Sequence, residues 1–465
     1  MTDARPAPRL TDRLVAAAVR PVDVAGLAGF RIVFGLVMFV GLLRFLASGW
    51  IEPMYGEPRF FFTYPGFGWV EPWPVWGMYV HYAVLAALAL AITLGVFYRA
   101  AIVGFAIGFA WTQLIDVTNY LNHHYVVVLL SGLLAVLPAN AAWSIDVRRR
   151  PAIARTTVPA WTGWILRFQV GVVYVFAGLA KAKPDWLIHA QPLDLWLAAR
   201  TDTPLIGRWL DEPAVAYAMS WAGFLFDTTI VAWLSWSRTR PYAYAVLIGF
   251  HAATGYLFNI GMFPLIMTAG ALVFFSPSWP RRLLRAMGLA RLAGSPPEPA
   301  PALAPRQPRR LFVTLAIAYV VLQLALPLRH LVYPGDVLWN EDGMRFAWHV
   351  LVREKHGSVT FIARFPDGKQ LQIPPHDYLT WRQEKEMAGQ PDLILQLARR
   401  IGADLRAAGH RGVVIHADTR VSLNGRAPVP MIDPAVDLLQ VTDLGPRDWV
   451  LPAPTDEPPR LRPFE

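Results

Sequence analysis

The sequence predicts an all-α polytopic membrane bundle of about nine transmembrane helices, followed by a small α+β extracytoplasmic domain. Three observations lead there. Of 465 residues, 55% are hydrophobic and 16% charged, with a mean hydropathy of +0.35, against roughly 25% charged residues in a typical soluble domain. The charges are unevenly placed, since 42 of the 76 lie in the first 330 residues and 34 in the last 135. Predominantly apolar runs of bilayer-spanning length, about 20 residues each, recur through the first part only.

In chain order these runs fall at 25–47, 76–98, 100–119, 123–143, 161–182, 214–236, 241–260, 262–277 and 310–328. Residues 1–24 read as a cytoplasmic N-terminal segment, 25–330 as the membrane domain and 331–465 as the extracytoplasmic domain. The first run is too long for a signal-peptide core and lacks a small-residue cleavage site, so it is expected to stay as a helix. The eighth is the shortest. The Pro- and Ala-rich stretch 293–308 reads as a flexible linker on the inner side.

Orientation follows from the arginines, because Lys and Arg collect on the cytoplasmic side. With the N-terminus inside, eighteen arginines fall in inner segments, among them Arg20, Arg99, Arg148, Arg149, Arg150 and Arg281, and only Arg59, Arg200 and Arg208 fall outside. An odd number of spans then places the tail outside. The tail holds 16 basic against 18 acidic residues, so the basic excess behind the net charge of +10 lies in the membrane part. It reflects topology, and no nucleic-acid partner is expected.

The tail elements have local signatures. Val359–Ile362 and Leu371–Ile373 flank Pro366-Asp367-Gly368, a hairpin signal. A helix should start at Pro391, carry Leu393, Leu397, Ile401 and Leu405 on one face, and stop at Gly409. Val413–Ile415 and Arg420–Leu423 read as two further strands.

The chain has no cysteine, which excludes disulfides, thiol nucleophiles, thiolate zinc sites and iron–sulfur clusters. No histidine spacing suits a metal either, since adjacent His123 and His124 present their rings on different faces. Attention therefore goes to ionisable residues in or beside spans, which are costly and mark cavities or partners. These are Arg31, Arg44, His81, Asp116, His123, His124, Arg167, Lys181, Lys183, Asp227 and His251. Lysine usage narrows the set, because the chain has 38 Arg but five Lys, and only Lys181 and Lys183 lie in the first 330 residues. Arginine cannot be deprotonated in proteins, whereas a desolvated lysine can act as a base. Lys181 either has that role, or snorkels to water or pairs with Asp185. Residues two apart point to nearly opposite helix faces, so at most one of the two lysines should face the bundle. Run boundaries place Lys181, Asp116, Asn122, His123, His124 and His251 at one depth, while Arg167 and Asp227 read either as site residues or as a structural intramembrane pair.

Several ordered motifs carry a family resemblance. They are Phe30-Arg31-Ile32-Val33-Phe34-Gly35, Asp116-x-Thr118-x-x-x-Asn122-His123, Ala139-Asn140-x-x-Trp143-Ser144-x-Asp146, and Leu166-Arg167-x-Gln169 leading to Ala177-Gly178-x-x-Lys181. Phe258-x-Ile260-Gly261-Met262-Phe263 and Ser276-Pro277-x-Trp279-Pro280-Arg281 follow. Together they resemble vitamin K-dependent γ-carboxylase, with a membrane part similar to the HTTM domain of its bacterial members. The likeness resumes in the tail at Trp339-Asn340, Trp348 and Asp433-Pro434-x-Val436-Asp437.

The resemblance implies an enzyme that couples oxygenation of vitamin K hydroquinone to its epoxide with carboxylation of peptide-bound glutamate. Reduced vitamin K, O2 and CO2 would be consumed, without a metal. No side chain is basic enough for a glutamate γ-carbon, since side-chain bases titrate below about 11. In the family a lysine removes a proton from the hydroquinone, and its reaction with O2 supplies the strong base. Carried over by motif, Lys181 is that lysine. Asn122, His123 and His251, with Asp116 and Arg167, would bind the quinone or stabilise developing negative charge, and Trp348 and Arg353 are candidates for peptide binding. Ala180 stands where animal members have a second lysine and Arg353 where they have a histidine, and the resemblance implies that their long lumenal remainder is missing. The implied setting is a bacterial cytoplasmic membrane, with the lipid bilayer, an isoprenoid quinone and a glutamyl peptide or exported protein as partners. Alternatives are a hydroquinone epoxidase without carboxylation, a non-catalytic quinone-binding scaffold, and an extracytoplasmic binding module on a multispan anchor.

Overall fold

The computed structural model of the chain describes residues 10–294, 310–442 and 447–459. It is 59% helical. The bundle consists of α1 (Ala25–Ala47), α2 (Val75–Leu94), α3 (Tyr98–Leu114), α4 (Asn122–Val136), α5 (Trp161–Ala180), α6 (Pro213–Ser235), α7 (Arg240–Leu257), α8 (Phe263–Gly270) and α9 (Arg310–Leu328). Each coincides with one predicted apolar run, but length and composition qualify five or six of them, not nine, as membrane spans. Among the described residues five helices, α1, α2, α5, α6 and α9, are long and apolar enough to cross a membrane, the last read through to Val332. A sixth is added if α8, continued to Phe274, and the helix Trp279–Ala286 count as one span broken by a 104° bend. α3 and α4 are only 17 and 15 residues long, because the polar turn around Asp116–Asn122 interrupts the runs. Most of the predicted linker 293–308 lies outside the described residues.

Several family-like motifs turn out to be packing devices at one end of the bundle. Arg31, fully buried, reaches the carbonyl oxygens of Trp143 at 2.6 Å, Ala139 at 3.3 Å and Thr93 at 3.4 Å. It thereby ties α1 to the ends of α2 and α4. Asp146 accepts from the backbone N–H groups of Phe97 and Tyr98, both at 2.9 Å, which satisfies orphan donors at the start of α3. Arg281 forms a buried ion pair with Asp23 at 2.9 Å. Small residues set the helix crossings. A Cβ on Gly35 would lie 2.7 Å from the backbone nitrogen of Thr93, so α1 and α2 meet at backbone contact.

The C-terminal domain is a three-stranded antiparallel sheet in the order β2-β1-β3, made of β1 (Lys355–Arg364), β2 (Gln370–Ile373) and β3 (Val414–Leu423). The predicted hairpin forms, with Phe361 opposite Ile373. The two strands predicted around residues 413–423 are one continuous strand, paired with β1 from Lys355↔Leu423 to Arg364↔Val414. Ile415, Ala417, Thr419, Val421 and Leu423 alternate inward through it. α10 (Trp381–Met387) starts with a Thr380–Gln383 capping box, and α11 (Pro391–Ala407) buries Leu393, Leu397 and Ile401 fully.

This domain sits on the end of the bundle that carries Lys181. Its core takes in Phe62, Tyr64 and Val117 from loops of the membrane part, so the boundary in space is not the boundary in sequence. Arg426 grips Asp185 with two bonds of 2.7 Å, Gln396 and Thr63 exchange bonds of 3.1 and 3.2 Å, and Gln383 donates to Asp116 at 2.7 Å.

Candidate active site

The site lies where α4, α5, α6 and α7 meet the C-terminal domain. Lys181 closes α5 as its C-cap residue and turns inward, 4% exposed. Its Nζ donates to Asp227 Oδ2 at 2.9 Å, to the Ala177 carbonyl at 3.2 Å and to the Val350 carbonyl at 3.2 Å. It also stands 5.3 Å from the Trp186 ring centre. The pairing depends on how closely α5 and α6 cross. Gly178, three residues before the lysine, leaves room for Thr228, and a Cβ there would lie 2.6 Å from Thr228 Cγ2 and 2.8 Å from Thr228 N.

A cavity of about 70 Å³ holds Lys181, Asp227, Tyr174 and His251. The Tyr174 hydroxyl lies 2.8 Å from His251 Nε2, and His251 Nδ1 is buried without a partner among the described residues. A larger cavity, about 400 Å³, runs between α1, α2, α3 and α4. Its walls are mostly apolar, including Met38, Leu42, Tyr82, Phe109 and Val127, with Arg44, Gln113, Asn122, His123, His124 and Asn259 as polar points. The size and lining suit an apolar ligand with a few oriented oxygens. Ile260, Phe263, Val350 and Leu351 line both cavities, which therefore adjoin.

The polar points are held in place. Asn122 donates to the His349 carbonyl at 3.1 Å and accepts from the Tyr120 hydroxyl at 3.1 Å, which leaves one amide N–H for another acceptor. His123 packs between His124 and Phe263, with ring centres 4.6 and 6.1 Å away. His124 is bonded to Gln113 at 2.8 Å.

Other predicted residues lie elsewhere. Arg167 is four turns before Lys181 on α5, at the far end of the bundle, and bonds the carbonyls of Val273 and Phe275 at 2.7 and 3.1 Å. It neither pairs with Asp227 nor reaches either cavity. Asp116 lines neither cavity; it accepts from Thr118 at 2.8 and 2.9 Å and from Gln383, organising the turn before α4. The sequence-level partner of Lys181, Asp185, is taken by Arg426. Lys183 is half-exposed and lies 3.4 Å from Asp336. Trp348 is fully buried and stacks on Tyr125 at 4.9 Å. Arg353 pairs with Glu341 at 2.8 Å, a carboxylate shared with buried Lys355 at 3.3 Å. Burial pulls the Lys355 ammonium down to about 8 despite the opposing Glu341 charge. Among the described residues no group of three or more His, Cys, Asp or Glu could hold a metal ion.

Sequence reasoning missed Tyr174, Val350, Leu351 and the role of Asp227. Tyr174 lies seven residues before Lys181, two helical turns on the same face, so a signal was present. Asp227 was hidden by depth, because it lies fourteen residues into α6, about 21 Å from its start at 1.5 Å per residue, whereas Lys181 ends α5.

Two family models match the chain. The HTTM domain matches residues 19–279, and the lumenal domain of vitamin K-dependent gamma-carboxylase matches residues 308–456. No solved structure matches.

Proposed function

The chain belongs to the vitamin K-dependent γ-carboxylase family, and we propose that it couples oxygenation of vitamin K hydroquinone to carboxylation of a glutamyl peptide at the membrane. The observation that carries this reading is a buried lysine, Lys181, in a cavity that shares a wall with an apolar chamber of about 400 Å³ bearing Asn122 and His123. The volume and apolar lining of the chamber support an isoprenoid quinone as its ligand, and His251 Nδ1, which has no partner among the described residues, offers a further polar contact beside Lys181. When bound, reduced vitamin K supplies with O2 the strong base that side chains lack.

The residues have separable tasks. Lys181 Nζ accepts a hydroxyl proton from the hydroquinone. The free amide N–H of Asn122 and the ring of His123 hold oxygen atoms as negative charge develops, with Tyr174 fixing the orientation of His251. The apolar walls exclude water and keep the quinone accessible from the lipid. We place the N-terminus in the cytoplasm and the C-terminal domain on the opposite face, where a polar glutamyl peptide would arrive. The test is epoxide formation from vitamin K hydroquinone by the purified protein, with and without a glutamyl peptide and labelled CO2. No epoxide under any condition would contradict the reading.

A second reading, epoxidation without carboxylation, is favoured by one observation. Trp348 is fully buried and Arg353 is engaged by Glu341, so neither candidate peptide contact stands open. Epoxide without fixed label would support it.

A further inference from the structure

Lys181 has three Nζ–H donors as an ammonium, and the structure gives each one an acceptor: Asp227 Oδ2, the Ala177 carbonyl and the Val350 carbonyl. In that form it has no lone pair, so it is not a base. A single charge in so apolar a cavity would be costly, but ammonium and carboxylate together are neutral. Moving one proton along the 2.9 Å bond, so that an N–H bond breaks and an O–H bond forms, yields amine and carboxylic acid with no change in net charge.

We propose that Asp227 is the positioning residue that sets the proton count of Lys181: the two share one exchangeable proton, and Lys181 acts as a base only while that proton rests on Asp227. This deepens the proposed function and rests on it for the meaning of the base, but the proton count can be read without turnover. The other titratable groups facing Lys181 are Tyr174 and His251 across the cavity and His349 from the C-terminal domain. None of them is within the hydrogen bonds of Nζ, so the carboxylate is the group that keeps the third proton on the nitrogen. Without it, a lysine with one carboxylate fewer in an apolar site sheds its charge.

The chain's five lysines make this measurable. Full-length protein labelled with [ζ-15N]lysine in lipid nanodiscs gives few side-chain resonances, and Lys181→Arg assigns that of Lys181. The wild-type residue should resonate as an ammonium at pH 7. Asp227→Asn should lose the ammonium resonance entirely and show an amine at that pH, while Asp227→Glu should keep it. An ammonium in folded Asp227→Asn, or an amine in the wild type or in Asp227→Glu, would overturn the inference. If Asp227→Asn does not fold, the wild-type and Asp227→Glu spectra decide. A wild-type protein inert towards vitamin K hydroquinone would defeat the proposed function while leaving this spectral test intact.

Discussion

Replacing Gly178 by alanine adds one methyl group at the crossing that brings Lys181 to Asp227. The new Cβ would stand 2.6 Å from Thr228 Cγ2, 2.8 Å from Thr228 N and 3.1 Å from the Asp227 carbonyl carbon. Two of these are backbone atoms of α6, which cannot yield by a rotamer change, so the helices must part by about 0.5–1 Å to restore contact at 3.5 Å or more. The Lys181–Asp227 bond starts at 2.9 Å and would approach or pass the limit of hydrogen bonding. Overpacking of this kind costs about 1–3 kcal/mol. Weakening a charge-assisted bond worth about 1.5–3 kcal/mol should slow any step that depends on the pair by roughly ten- to a hundredfold. The control is Gly171→Ala, two turns earlier on the same helix pair, where the Cβ would meet only the Val231 side chain, at 3.3 Å. Thermal unfolding in detergent and the rate of hydroquinone oxygenation should both fall in Gly178→Ala and hardly change in Gly171→Ala. Equal behaviour of the two variants would refute the claim that this crossing positions the lysine.

Other expectations concern the docking of the C-terminal domain and the topology. Asp185 is lowered below the ordinary carboxylate range, because the bonds and charge of Arg426 outweigh its burial. Its contribution to docking is therefore complete above the unfolded value near 3.9 and is lost as pH falls through the lowered folded value. Asp185→Asn should cost about 1–3 kcal/mol, less than the 3–5 kcal/mol of a fully buried broken pair, and protease protection of the domain should lose part of its acid dependence; unchanged melting and acid response would contradict this. A reporter that needs export, fused after Glu465, should be active, and activity of a cytoplasmic reporter there would reverse the proposed orientation. Arg353→Ala removes one of two cations on Glu341 and should reduce peptide-dependent carboxylation more than peptide-independent epoxidation, as measured by labelled CO2 against epoxide; equal losses in a folded variant would rule out a role of Arg353 in peptide recognition.

What the sequence revealed followed physical periodicity. The apolar runs located every bundle helix, and the Pro366-Asp367-Gly368 turn and the Pro391 helix start located the tail elements, because local propensity and burial agree there. Run length counted more spans than helix length and composition support, since α3 and α4 end at a polar turn that packs against the docked domain. Two strands were read where one exists because His416, Asp418 and Arg420 break the apolar run, although the inward positions between them stay buried. Scarcity of lysine singled out Lys181 correctly as a buried residue, but its partner could not be read. Asp185 is near in sequence and Asp227 near in space, and only the α5–α6 crossing at Gly178 decides between them. Arg167 looked like a site residue because charges inside spans are rare, yet its partners are backbone carbonyls at the other end of the bundle. Val350 and Leu351 carry no polar signal at all; they matter through a carbonyl and a wall.

Lys181 is proposed as the base on which the chemistry depends, and hydroquinone oxygenation by lysine variants tests that role most directly. Purified wild-type protein in lipid, given vitamin K hydroquinone, O2, a glutamyl peptide and labelled CO2, should form epoxide and fix label. Lys181→Ala should abolish both products, Lys181→Arg should not restore them because arginine holds its proton, and Lys183→Ala, on the exposed Asp336 pair, should retain most activity. Epoxide formed at wild-type rates by Lys181→Ala, or lost in Lys183→Ala alone, would contradict the account.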